Sequence, residues 1–136
     1  MIIPTSDMLV RYVLRSAAVA TLLIGFVMIF SPAALLNWFG SGGHDNRHFA
    51  LYLGTALIGF SLTNWLYSRV PDLNMIKPAI YGNLASILTA TIIDVKSLIA
   101  GSLNQSVWLI LLLHILFVAA FLYCLNAIRV ENLREE

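Results

Sequence analysis

Long apolar runs separated by short polar breaks set the pattern of this chain. The strongest run is Val107–Leu125, VWLILLLHILFVAAFLYCL, nineteen residues whose one strongly polar member is His114. A run of that length and character matches the hydrocarbon core of a bilayer crossed as a helix. Three weaker runs precede it, and the spacing predicts four spans at about residues 8–30, 47–68, 78–95 and 106–127. Residues 1–136 then form a single four-span membrane domain. The fold expected is all-α, an up-down bundle of four transmembrane helices.

The breaks sharpen this outline. Thr5, Ser6 and Asp7 are N-cap types directly ahead of the first periodic segment. Arg11 and Arg15 fall in its opening turns, where their stems can lie in the apolar layer while the guanidinium groups snorkel to the headgroups. Ser31-Pro32 stops this helix and supplies N-cap and N1 for another. Ala33–Phe39 is too short to span and carries Trp38, so it reads as a short helix at the interface. Gly40-Ser41-Gly42-Gly43 is a flexible break.

In the second span Ala50, Gly54, Leu57, Ser61, Asn64 and Ser68 share one stripe, small and polar, which should face the bundle because small residues let membrane helices approach closely. Lys77-Pro78 reads as the start of the third span. Its Ala79, Gly82, Asn83, Ser86, Thr89, Ala90 and Asp94 share a face, so this helix is expected to be the best enclosed of the four. After Arg129 the charged tail, Val130–Glu136, is expected to fray into water.

Composition agrees with a membrane protein. Of 136 residues, 60% are hydrophobic and 11% charged, against roughly 25% charged in soluble domains. The net charge of +1 and the lack of any basic run give no hold for nucleic acid. The sole cysteine, Cys124, cannot form an intramolecular disulfide and reads as a small buried hydrophobe. The N-terminal segment lacks a small-residue cleavage site after its apolar run, so the first span is read as retained. With the N-terminus inside, Arg11, Arg15, Arg69, Lys77, Arg129 and Arg134 lie on the cytoplasmic side and only Arg47 and Lys96 outside. That asymmetry predicts both termini cytoplasmic.

Candidate chemistry is sparse. His114 lies about 3 Å from the midpoint of its span at 1.5 Å rise per residue, and an ionisable group at that depth is a functional candidate. As a cofactor-binding residue it would be an axial ligand to haem or chlorophyll; quinone contact and proton relay are further roles. The reading favoured is a neutral imidazole bonded to a neighbouring hydroxyl, with no cofactor, and counting places Thr89 and Thr55 at its depth.

Arg15, Asn64 and Asn83 fall near one depth at the other end, with Tyr12, Tyr67 and Tyr81 close. They form either a site for a lipid headgroup or small anionic ligand, or a hydrogen-bonded belt that fixes helix register, and the belt is favoured. His44 and His48, four apart, are the candidate metal ligands, with Asp45 or Asp94 as an oxygen donor, although Asp45 and Asn46 serve equally as N-caps. Asp94 itself is expected at the interface, solvated or paired with Lys96 or Arg47. No nucleophile elbow, phosphate loop, dinucleotide fingerprint or HExxH is present, so no enzyme is expected and no catalytic residue is assigned.

Several residues at helix ends carry a resemblance. Phe30-Ser31-Pro32-Ala33 followed by Leu35-Leu36-Asn37-Trp38-Phe39-Gly40, then Arg47, Leu53-Gly54, Gly59, Trp65 and Arg69, and finally Gly82-Asn83-Leu84, resemble the small bacterial four-helix membrane proteins around the DoxX-like group. The resemblance implies a four-helix fold in a bacterial inner membrane and no particular activity. Two functions are carried forward. One is a non-catalytic accessory or assembly subunit of a larger membrane complex, in contact with pigment, cofactor or lipid. The other is a small oligomeric binding or transport protein for a polar or anionic ligand.

Overall fold

The computed structural model describes residues 6–40, 46–102 and 104–135. Five helices follow in order: α1 (Ser6–Phe30), α2 (Pro32–Trp38), α3 (Asn46–Tyr67), α4 (Leu73–Ile99) and α5 (Val107–Glu135). Among the described residues there is no strand. The four long helices are each long and apolar enough to cross a membrane, and the chain is an integral membrane protein with the expected all-α architecture. α1 packs mainly on α3 and also on α5, α5 packs on α4, and α3 touches α4 over only a short stretch. The N-terminus of α1 and the C-terminus of α5 share one end of the bundle, called here the termini end. The α2 segment and the α4–α5 connection share the other, the loop end.

The closest approach joins α1 to α3. A Cβ placed on Gly54 would lie 2.9 Å from Gly25 O, Met28 Cβ and Ile29 Cγ1, and one on Gly25 would lie 2.9 Å from Gly54 O. Only paired glycines allow that crossing. The small stripe expected on α3 does face inward: Ala50, Gly54, Ser61, Asn64 and Ser68 are buried. Ser61 Oγ donates to Ala18 O of α1 at 2.6 Å, and this hydroxyl-to-carbonyl bond fixes the register of the pair.

At the termini end the bundle is solid. Val10, Leu14 and Ala17 of α1 meet Ile76, Ile80 and Leu84 of α4 and Phe121, Cys124 and Ile128 of α5. Cys124 has the buried place expected of it. Arg11 adds a tie that the sequence did not suggest. Instead of snorkelling, it donates from Nη1 to Ser68 O and Val70 O at 3.0 and 2.9 Å, and from Nη2 to Pro71 O at 3.3 Å, while Nε meets Asp7 at 2.8 Å. These carbonyls follow α3, where the helix leaves them without intrahelical donors.

Three points differ from the sequence reading: the start of α4, the ends of α4 and α5, and the enclosure of α4. α4 begins five residues earlier than expected, at Leu73, because Asp72 caps it by accepting from Asn74 N at 2.8 Å. Pro78 therefore lies inside the helix rather than at its first position. α4 also runs on to Ile99, and α5 continues through the charged tail to Glu135, held by a reciprocal amide pair between Asn74 and Asn132 at 2.9 and 3.4 Å. The third correction concerns enclosure. α4 is not the best enclosed of the four, since only 11% of its most apolar stretch is buried against 22% in each of the others. Gly82 and Thr89 are exposed. Thr89 donates to Ala85 O of its own helix at 2.8 Å, and a hydroxyl satisfied in this way can face lipid without penalty.

The α1–α3 crossing makes a direct prediction. Gly54→Ala forces the two backbones apart and should lower stability by about 1–3 kcal/mol, seen as a lower Tm in detergent. Gly59→Ala on the same helix meets no atom within 4 Å and should leave Tm unchanged or raise it, since alanine is the better helix former.

Candidate functional site: a hollow at the loop end

Above the packed half the helices separate. A cavity of about 580 Å³ lies between α1, α3, α4 and α5, with α2 over it. α1 contributes Thr21, Ile24 and Met28, α3 contributes Phe49, Leu53, Leu57 and Phe60, α4 contributes Ser86, Ile87, Ala90 and Asp94, and α5 contributes Ile110, Leu113, His114 and Phe117. The wall is largely apolar, and its polar members are few.

The roof is built by a short helix and two loops. α2 was expected at the interface. Its partly exposed Trp38 fits that place, yet Leu35, Trp38 and Phe39 also close over the cavity. Asn104 N donates to Phe39 O at 3.0 Å, Asn104 Nδ2 to Trp38 O at 2.7 Å, and Ser106 Oγ to Trp38 O at 2.8 Å. Gly40 makes this link with φ +79°, a left-handed conformation natural to glycine. A Cβ there would also press to 3.3 Å from Asn104 Cβ.

At the inner end of the cavity Asn83 of α4 lines it and pairs with Asn64 of α3 behind. Asn64 Nδ2 donates to Asn83 Oδ1 at 3.0 Å, and Asn83 Nδ2 donates to Asn64 Oδ1 at 2.7 Å and to Ala79 O at 2.6 Å. Both residues are buried. This is the belt reading of the Arg15, Asn64 and Asn83 constellation, reduced to its two asparagines. Arg15 does not join them. It is exposed and its Nε reaches Ser68 Oγ at 3.4 Å, at the end of α3. The three are thus not a single headgroup site, because each asparagine spends its amide on the other.

His114 stands in the wall. Its Nδ1 lies 3.3 Å from Thr91 Oγ1 and 3.6 Å from Asp94 Oδ2. The hydroxyl partner foreseen is therefore present but is Thr91, since Thr89 turns to its own helix and Thr55 donates to Tyr52 O at 2.8 Å. Thr91 Oγ1 also lies 2.8 Å from Ile87 O, the nearer acceptor for its single proton. With that proton on Ile87 O, Nδ1 of His114 is the donor to Thr91, and Nε2 of a neutral ring carries the lone pair. Asp94 corrects a second expectation. Its carboxylate is not solvated at the interface beside Lys96 or Arg47 but lines the cavity, with its side chain 20% exposed beside the 18% of His114. The sequence signal that would have found this pair is the spacing from each helix end to the α4–α5 connection. It was masked by placing the end of α4 four residues too early.

Of the candidate metal ligands, His44 and Asp45 lie outside the described residues and His48 is exposed on α3. Among the described residues no three His, Cys, Asp or Glu side chains gather closely enough to hold a metal ion. Compared with known proteins, the chain matches no family model, no curated protein and no solved structure.

The amide pair is testable by a double-mutant cycle. Asn64→Leu leaves the Asn83 amide buried without its partner and should cost about 1–3 kcal/mol. Asn64→Leu with Asn83→Leu should cost less than the sum of the single changes, with a coupling of about 0.6–1.7 kcal/mol in thermal melts, the range for polar pairs between membrane helices.

Proposed function

We propose that the protein is a non-catalytic, membrane-embedded binding protein for an amphipathic small molecule. The observation that carries this reading is the cavity of about 580 Å³ with Asp94 and His114 on its apolar wall. Small-molecule sites are typically hollows of about 300–1,000 Å³, mostly apolar, with a few polar groups that fix orientation. An ionisable pair inside a membrane bundle is costly to keep, and such residues mark ligand or ion sites. Nε2 of His114 and the Asp94 carboxylate are both acceptors, so the ligand class that fits has an apolar body and a hydrogen-bond donor, a hydroxyl or an amine, at one end.

The same tautomer supports a second reading. With Nδ1–H facing a carboxylate, Nε2 is the atom that coordinates iron or magnesium in histidine-ligated cofactors, and a visible absorption band lost in His114→Phe would establish it. The accessory-subunit expectation gains nothing specific, because the outward Leu109, Leu112, Ile115 and Leu116 of α5 are what lipid alone selects.

Residence in a bacterial inner membrane is proposed on the DoxX-like resemblance, and cytoplasmic termini on the six-to-two division of Lys and Arg. A cysteine at Ser102, in the exposed α4–α5 loop, should react with an impermeant maleimide added outside intact cells, and one at Pro71 should not. Reversed labelling refutes the orientation.

The binding reading is tested with purified protein in mild detergent, screened for thermal shift with apolar alcohols and amines. A true ligand at 100 times its Kd should add about 2.7 kcal/mol, a rise of several degrees. The rise should vanish in Ala90→Trp, which fills the cavity, and shrink in His114→Phe. An equal rise in all three proteins, or none with any compound, would reject the cavity as a binding site. Native mass spectrometry of the same preparation reads out heavier partner subunits independently.

A further inference from the structure

A second hollow lies at the termini end, far from the first, between the start of α4 and the last turns of the apolar part of α5. Its wall is Lys77 and Tyr81 from α4 with Leu125, Asn126 and Arg129 from α5. The spacing is what places these groups together. Lys77 and Tyr81 are i and i+4 on one helix, as are Leu125 and Arg129 on the other, and Asn126 precedes Arg129 by three. Two cations, a phenol and a carboxamide therefore surround one opening of about 380 Å³.

Charge in this hollow is unbalanced. Among the described residues Asp7 pairs with Arg11 and Asp94 faces His114, and neither Lys77 nor Arg129 has a carboxylate partner. Among the described residues no Asp or Glu lines the opening. Asp72, the acidic residue nearest in sequence to Lys77, spends an oxygen on the cap of α4. The walls are also held in place rather than free to splay. One turn beyond the opening the Asn74–Asn132 amide pair ties α4 to α5, and on its inner side Ile76, Ile80, Cys124 and Ile128 are packed in the core.

We propose that this hollow binds a phosphate group at the membrane surface, in the first place the phosphodiester of an anionic lipid in the leaflet at the termini end. Lys77 supplies a point charge and Arg129 a planar fork of donors suited to phosphate oxygens. Tyr81 O–H and Asn126 N–H add neutral donors. Basic pockets between helices near the headgroup level hold anionic lipid headgroups in this way. Leu125 and the exposed apolar side chains of Tyr81 and Leu122 face the level where acyl chains begin. The proposal gives a headgroup site to a different set of residues from Arg15, Asn64 and Asn83, and it does not depend on what fills the larger cavity.

The test uses the whole protein in nanodiscs of phosphatidylcholine containing 10 mol% phosphatidylglycerol, released into the gas phase for native mass spectrometry. Wild-type protein should retain phosphatidylglycerol in preference to phosphatidylcholine. K77Q with R129Q should lose that preference by roughly 30-fold, taking about 1 kcal/mol for each cation near an anionic surface. R69Q removes one exposed cation at the same end that lies outside the hollow, over the Trp65 ring, and should keep the preference. Melting in detergent without added lipid should be unchanged in both variants, which separates binding from folding. Inorganic phosphate at millimolar concentration provides the other arm: competition by it, with a thermal shift of its own, places the source as free phosphate at the same four groups. Equal retention of phosphatidylglycerol by wild type and K77Q/R129Q, or equal loss in R69Q, would overturn the proposal.

Discussion

At Gly25 and Gly54 two backbones come closer than any side chain permits, and the arrangement of the other helices follows from that contact. In a bilayer no hydrophobic force draws helices together, because lipid tails are as apolar as leucine. Association relies on close packing and on polar contacts instead. The glycine crossing, together with Ser61 on Ala18 O, makes α1 and α3 a rigid pair. α5 packs against α1, and α4 against α5. α4 is thereby held from one side, and its link to α3 is left to the buried amides of Asn64 and Asn83.

That asymmetry explains why the bundle is solid at one end and hollow at the other. Where α4 and α5 carry Ile76, Ile80, Phe121, Cys124 and Ile128, large side chains fill the space to α1. Toward the loop end α4 turns Ser86, Ala90 and Asp94 to the interior, and these are too small or too polar to fill it. Membrane helices tolerate such a gap when the rest of the bundle holds its geometry. Here the packed half and the roof of Trp38, Asn104 and Ser106 do so from either side. The shape of the cavity is set by elements that take no part in lining its polar corner.

Much of this architecture was legible in the sequence, and the reasons for the failures are instructive. Four spans, the short second helix and the inward stripe of α3 follow from periodicity and from residue size, which are local properties. The start of α4 was missed because Lys77-Pro78 carries a proline signal stronger than the single cap at Asp72. The enclosure of α4 was misjudged because Thr89 can satisfy its hydroxyl on its own Ala85 carbonyl, so polar residues on a membrane helix do not always point inward. Arg11 shows the limit most plainly. Three carbonyls at the end of α3 come to it from more than fifty positions away, and nothing in the order of residues shows that they will arrive. The candidate site divided along the same line. His114 stood out as a lone polar group in an apolar run, whereas its partner depends on the register between two antiparallel helices, which an error of a few residues is enough to lose.

The pairing of Asp94 with His114 gains its meaning from where it sits. A carboxylate and an imidazole taken out of water incur a desolvation cost that their contact need not return, and two packed apolar side chains of similar volume often serve stability as well or better. The bundle has room for such side chains at this point, since the cavity beside the pair is empty of protein. A structure selected for packing alone would have filled it, as the termini end is filled. The combination of a costly polar pair, a hollow of small-molecule size and a firmly packed neighbouring region is what supports the binding role proposed above. On the binding role proposed above, an Nδ1 proton gives it direction: Nε2 and Asp94 are then both acceptors, and they suit a ligand that brings a donor of its own.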